Sequence, residues 1–464
     1  MQPSLFDMPA ASGPRGTGRI RLFAVMAVMA LVFTACGGGE EGESQSAESD
    51  APAGSQAPAA SGDGAGGGLE PPAGDVAIEF WTGLTGADGD IMEELVGQFN
   101  SETPSVQVTL QRLPEYYTAI NNAVQAGETP EVMIMHIDAL ARYAAEGVVQ
   151  PVGDLAEQLG LSEEDYTPAV WAGTQWQGEQ YSIPLDVHPQ VLYYNRDLLE
   201  EVGAEQIPPT DREGLEDALQ KCTDAGYDQG LWGNHAFSAG LTWATLFYQG
   251  GGEWTNEDYS EATFNSEAGV QASEYMLSLI EMGVQPQNVD PDAELTNLES
   301  LSSCFATTGI WQTTRLQASL GESFGEAPFP QIFDEPGNWS GSHTLALRAD
   351  LEGDELQGGA YFIDWLTDHS VDWAAAGQLP ARADVRESEE FAALADIPDA
   401  APAIEAARFP PPIPGSSDLF FGPGGVWEKV AEMISAGLDP QEGLDAAAQQ
   451  YTEILQSGKD EYGY

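Results

Sequence analysis

The chain has 464 residues, with 15 Lys and Arg against 75 Asp and Glu, a formal net charge of −60. That balance excludes nucleic acid as a partner, because phosphate binding needs a basic surface. The length supplies two or three domains with full cores. Acid is spread along the chain rather than gathered in a tail, and lysine is limited to Lys221, Lys429 and Lys459. This reads as a solubility adaptation to a salty medium, where screening relieves self-repulsion.

In chain order, Arg15, Arg19 and Arg21 precede an apolar run from Leu22 to Ala35. The run is about 14 residues, short of the roughly 20 that span a bilayer. A basic start, a short apolar stretch and small residues before Cys36 describe a secretory signal peptide over residues 1–35. Cys36 is placed as in the lipobox of bacterial lipoproteins, although Phe33 stands where that box usually has leucine. Its lipidation would anchor the protein to the outer face of the cell membrane. Residues 36–74 then form a Gly/Ser/Ala/acid stretch without the apolar side chains of a core, a disordered tether.

The next segments alternate in type. Val76–Trp81 reads as a strand, followed by the glycine-rich loop Thr82–Gly89. Ile91, Met92, Leu95, Val96 and Phe99 then fall on one helical face. Val106, Val108 and Leu110 alternate as a strand, Tyr117, Ile120 and Val124 mark a helix, and Glu131–Met135 is a buried-strand run. Leu140, Tyr143 and Ala144 begin another helix. This order predicts an α/β fold with a parallel sheet flanked by helices. Ligands of such sheets bind beyond the carboxyl ends of the strands, which places Trp81–Gly89 and His136–Asp138 at one mouth.

Chemical motifs are sparse. The string Gly321-Glu-Ser323-Phe-Gly325 fits the nucleophile-elbow spacing, but a helix-like stretch precedes it where a strand is needed. The five histidines, at 136, 188, 235, 343 and 369, show no metal-binding spacing, so no metal or cofactor is expected. Cys222 and Cys304 leave open a disulfide or two unpaired buried thiols. The informative bias is aromatic, with 11 Trp, 15 Tyr and 17 Phe. Trp81, Trp243, Trp311 and Trp427 fall at predicted loops or helix starts, where indole faces suit the flat C–H faces of sugars. Polar side chains beside them would hydrogen-bond the hydroxyls.

Several strings occur in the order of a known family: Glu79-Phe-Trp-Thr-Gly-Leu-Thr-Gly86, Val132-Met-Ile-Met-His-Ile-Asp138, Tyr181-Ser-Ile-Pro-Leu-Asp-Val-His-Pro189 and Leu192-Tyr-Tyr-Asn-Arg-Asp-Leu198. Gly250-Gly-Gly252, Thr308-Gly-Ile-Trp311, Pro328-Phe-Pro330, Ser340-Gly-Ser-His-Thr344, Ala360–Trp365 and Leu379-Pro-Ala-Arg382 follow. With these strings the chain resembles the family 1 extracellular solute-binding proteins, receptors of carbohydrate ABC importers typified by the maltodextrin-binding protein. The family's F-x-x-G-K-A-A-M string is replaced here by Leu301–Thr308.

The resemblance implies a two-lobed clamshell, each lobe a mainly parallel sheet flanked by helices, joined by a multi-strand hinge. Lobe one would comprise 75–187 plus 343–394, and lobe two 188–342 plus 395–460. Carried over by position, the ligand residues would be Trp81, Thr82, Asp88, His136, Asp138, Asp186, His188, Trp243, Trp311, Gly341, His343 and Trp427. The implied function is capture of a mono- or oligosaccharide by a monomeric, non-enzymatic receptor that hands it to ABC permease subunits. A polyol or glycerol-phosphate-like solute is the alternative. An anionic ligand would call for Arg112, Arg142, Arg315 or Arg382. A secreted glycoside hydrolase and a surface adhesin are the readings from other classes.

Overall fold

The computed structural model describes residues 69–464 except 228–229, 234–236, 291, 395–396 and 423. The signal peptide, Cys36, the tether up to residue 68 and the expected lobe crossing near 395 lie outside the described residues. No helix among the described residues is long and apolar enough to cross a membrane.

The alternation read from the first half gives its elements. Strands Val76–Thr82, Val106–Arg112 and Val132–His136 alternate with helices Ala87–Glu102, Tyr116–Ala126 and Ile137–Ala145. Met92, Leu95, Val96 and Phe99 form the buried face of the first helix. Val76–Thr82 lies in the middle and pairs in parallel with both other strands. Strand His343–Leu347 returns antiparallel to Val132–His136, and Ile183–Pro184 closes the five-stranded sheet. Helix Gly353–Asp368 covers it by edge-on aromatic packing: Phe362 lies 5.1 Å from Phe80 and 4.9 Å from Phe99, centroid to centroid.

The second sheet is organised by one long strand, Asp186–Asn195, buried at every position. It leaves the first lobe beside Leu379–Pro380 and Asn338–Gly341, then pairs with Phe305–Gly309 and Phe324–Pro328. All four pairings are antiparallel. The expectation of a mainly parallel sheet therefore fails for the second lobe. A strand that enters from the other lobe runs against neighbours that lead back toward the cleft. Asn338–Gly341 with Ala407–Arg408 is the parallel pair. Asn195 Oδ1 accepts the Leu198 N–H and Asp211 Oδ1 the Gly214 N–H, starting the helices that follow the long strand.

Cys222 and Cys304 form a disulfide, with Cα atoms 6.3 Å apart, between helix Arg212–Ala225 and the entry to strand Phe305–Gly309. It spans a sequence separation of 82 residues. Closing a loop of that size restricts the unfolded chain. Replacing both cysteines with serine is expected to cost about 2–5 kcal/mol. Urea unfolding of the double variant checks this; an unchanged midpoint would show that the bridge adds no stability.

Candidate functional site

The crossing and return strands bring three histidines together. Asp186 and His188 are two residues apart on one strand, so both face the same side. His136 and His343 sit opposite each other in register across their antiparallel pair. Gly341 opposes His188 in the same way. A Cβ at Gly341 would lie 2.1 Å from His188 Nε2, so the absence of a side chain there leaves room for the ring. The ring centroids are 4.5 Å apart for His188 and His343, 5.0 Å for His136 and His343, and 6.2 Å for His136 and His188.

Asp186, 0% exposed, organises this group. Its Oδ1 accepts from His188 Nδ1 at 3.1 Å and the His343 backbone N–H at 2.9 Å. Its Oδ2 accepts from His343 Nδ1 at 2.7 Å and Trp373 Nε1 at 2.8 Å. An ionised carboxylate can only accept, so both Nδ1 atoms carry hydrogens and both imidazoles turn Nε2 outward. Burial alone would raise the Asp186 pKa. The His343 charge and the hydrogen bonds from both rings outweigh it and hold the carboxyl below its usual range. Burial also opposes a charged His343, but the Asp186 carboxylate overcomes it and raises that imidazole. His188 is lowered by burial and by the His343 charge, and His136 well lowered by burial, then by His343 and His188. These directions favour the charged form at His343, beside Asp186, and the neutral form at the other two rings. His136 is held from behind by Tyr117, whose hydroxyl accepts the His136 backbone N–H at 2.9 Å and meets Nδ1 at 2.7 Å.

An aromatic band continues from His188 into the second lobe. Trp311 lies 5.7 Å and Trp339 6.5 Å from the His188 ring, centroid to centroid. Trp427 follows at 6.4 Å from Trp339, and Phe237 touches both Trp311 and Trp427. On the first lobe, Trp81 and Thr82 end strand Val76–Thr82. The buried Trp81 Nε1, Thr82 Oγ1 and Trp339 Nε1 have no hydrogen-bond partner among the described residues. Asp88 stands in the first turn of the following helix, and its charge adds to the raising of His343 and slightly opposes the lowering of His188. Asp138 Oδ2 accepts from Ser417 Oγ at 2.8 Å, joining a first-lobe helix to helix Ser416–Phe421.

Two of the expected ligand residues are placed differently. Trp243 is 0% exposed in the second-lobe core. Its ring stacks on Phe247 at 5.1 Å, and its Nε1 donates to Ser273 Oγ. The whole of helix Ser238–Gln249 is buried, so an indole there packs instead of lining a cleft. Asp186 spends both oxygens on protein donors and acts from behind the histidines. Sequence reasoning missed Trp339, Tyr117 and Trp373. The first stands immediately before the string Ser340–Thr344, and a four-residue strand is too short for its facing to be read. Gly321–Ser323 is a turn after a helix and before a strand, the reverse of a nucleophile elbow.

The four arginines an anion would call for are occupied. Arg112 pairs with Asp90, Arg142 with Glu146, Arg315 with Glu299, and Arg382 with Asp368 and Asp384. A separate cavity of about 790 Å³ lies in the second lobe between Tyr248, Trp254, Glu335 and Arg408 and shares no residue with the ring band.

Two sheet-bearing lobes, joined through one long strand and meeting at a ring-lined mouth, define a binding-protein fold of the periplasmic type. The GacH receptor of Streptomyces glaucescens, described unliganded and with acarbose, superposes with a TM-score of 0.71 at 22% identity, over 82% of this chain and 99% of that one. UgpB of Mycobacterium tuberculosis, in complex with glycerophosphocholine, superposes with a TM-score of 0.69 at 18% identity, over 82% and 98%. In sequence, the chain is 23% identical over 408 residues to the sn-glycerol-3-phosphate-binding periplasmic protein UgpB of Shigella dysenteriae, covering 82% of this chain and 92% of that protein. The profile of the bacterial extracellular solute-binding proteins matches residues 83–371, and the chain belongs to that family.

Proposed function

We propose that the protein captures a neutral, hydroxyl-rich solute, a mono- or oligosaccharide, and delivers it unchanged to the permease of an ABC importer. The observation that carries this reading is the band of three histidines and three tryptophans, together with the pairing to carboxylates of the four arginines an anion would call for. Indole faces cover the apolar sides of a sugar ring. His136, His188, Asp88, Asp138 and the unpartnered indole N–H groups of Trp81 and Trp339 supply hydrogen bonds. A buried donor left unpaired costs about 1–3 kcal/mol, so a solute hydroxyl there stabilises the closed form. Trp81, Thr82, Asp88, His136, Asp138, His188, Trp311, Gly341, His343 and Trp427 would line the site. Lobes 75–187 plus 343–394 and 188–342 plus 395–460 would close about the crossing strand, and a lipidated Cys36 would hold a monomeric receptor near its importer.

A glycerol-phosphate-like solute is the second reading, favoured by the likeness to sn-glycerol-3-phosphate-binding proteins and by the raised pKa of His343. A thermal-shift screen separates the two. Ligand at a hundredfold excess over Kd stabilises by about 2.7 kcal/mol. A rise in Tm with sugars but not with glycerol phosphates or their diesters supports the first reading. The opposite pattern replaces it with the second, and a response to peptides alone removes both.

A further inference from the structure

Two neighbouring imidazoles at the mouth, His136 and His188, are held at Nδ1 by partners of opposite character. His188 Nδ1 meets the Asp186 carboxylate at 3.1 Å. A carboxylate only accepts, so the neutral His188 carries its hydrogen on Nδ1. His136 Nδ1 instead meets the Tyr117 hydroxyl at 2.7 Å. That oxygen already accepts the His136 backbone N–H at 2.9 Å. Burial, then the Asp138 charge, hold the phenol well above its usual range, so it keeps its hydrogen. Nδ1 of His136 is the acceptor that the described residues offer this hydrogen. The reverse arrangement, with Nδ1–H donating, would leave the phenolic O–H unpaired at a cost of about 1–3 kcal/mol. The Tyr143 ring stacks on Tyr117 at 5.8 Å and fixes the phenol in place.

We propose that Tyr117 is a positioning residue that locks His136 in the Nε2–H form, so that the two neighbouring rings carry opposite tautomers. Which ring nitrogen holds the hydrogen is set by the bond the other one makes. Nε2 of His136 lies on the ring edge away from Tyr117 and has no hydrogen-bond partner among the described residues. It joins the indole N–H groups of Trp81 and Trp339, likewise unpartnered among the described residues. Three uncharged donors without a protein acceptor call for solute oxygens that accept, as the hydroxyl and ring oxygens of a saccharide do. This last step rests on the solute-binding reading; the tautomer of His136 does not.

Proton–nitrogen correlation spectra of the solute-free protein, isotopically labelled at the histidine nitrogens, test the assignment. The pattern of couplings to the ring carbons' hydrogens shows which nitrogen is protonated. His136→Gln and His188→Gln identify each residue's signals by their loss. At neutral pH the wild type should show His136 with its hydrogen on Nε2 and His188 with its hydrogen on Nδ1. Tyr117→Phe, which retains the stack on Tyr143, should release His136 to a mixture of both forms and leave His188 as it was. His136 carrying its hydrogen on Nδ1 in the wild type would overturn the proposal without any variant. An Nε2–H form undiminished in Tyr117→Phe would overturn it too. Any sugar that raises the Tm of the wild type should bind Tyr117→Phe about 10-fold more weakly, the loss of one aligned donor. Equal affinity would take His136 out of the donor set. The expected tautomers without a thermal response to any sugar would remove the saccharide reading and leave the positioning role standing.

Discussion

Asp186→Ala is expected to lower folding stability by about 3–5 kcal/mol at neutral pH, the range for removing one partner from a buried ion pair. The alanine would leave four donors facing a hole: the His343 N–H, the Nδ1–H of His188 and of His343, and the Trp373 Nε1–H. Each unsatisfied donor costs about 1–3 kcal/mol, but the total is smaller than their sum because His343 can shed its proton and water can enter. The effect should be architectural as well, since Asp186 ties the crossing strand, the return strand and the Trp373 helix together. Urea unfolding measures it. A loss below about 1 kcal/mol would mean that the carboxylate is not the organising group.

Trp311→Ala is expected to weaken solute binding by about 10–100-fold, the loss of a large aromatic anchor, while leaving the protein folded. Trp311 is half-buried and meets His188, Phe237 and Trp339 ring to ring. Trp243→Ala should behave in the opposite way. That side chain fills the second-lobe core, so its truncation is expected to cost about 3–5 kcal/mol of stability. Titrating both variants with the solute found by thermal shift, alongside their unfolding curves, separates anchor from core. Unchanged affinity in Trp311→Ala would take the residue out of the site.

The contrast between these tryptophans marks how far sequence reasoning reached. The first-lobe elements were legible because their apolar residues repeat locally, at helical spacing in Ala87–Glu102 and alternately in Val106–Arg112. The mouth followed, since parallel strands direct their carboxyl ends to one side. Helix Ser238–Gln249 is buried on every face, so no periodicity could say that Trp243 points into the core. The Asp186 hub joins residues 157 and 187 positions apart, and the disulfide spans 82, separations at which spacing carries no signal. The antiparallel run of the crossing strand was hidden for the same reason. His136, His188 and His343 were each named from the sequence, but their convergence with Asp186 emerges only once the strands place them across from one another.

Capture without chemical change is the central claim, and one measurement tests it most directly. The protein is saturated with the best-stabilising sugar, the complex is isolated, and the ligand released by denaturation is weighed by mass spectrometry. The account predicts one intact sugar molecule per chain, even after prolonged incubation. Recovery of hydrolysed sugar, or of none at all despite a screen covering mono- and oligosaccharides, would contradict it.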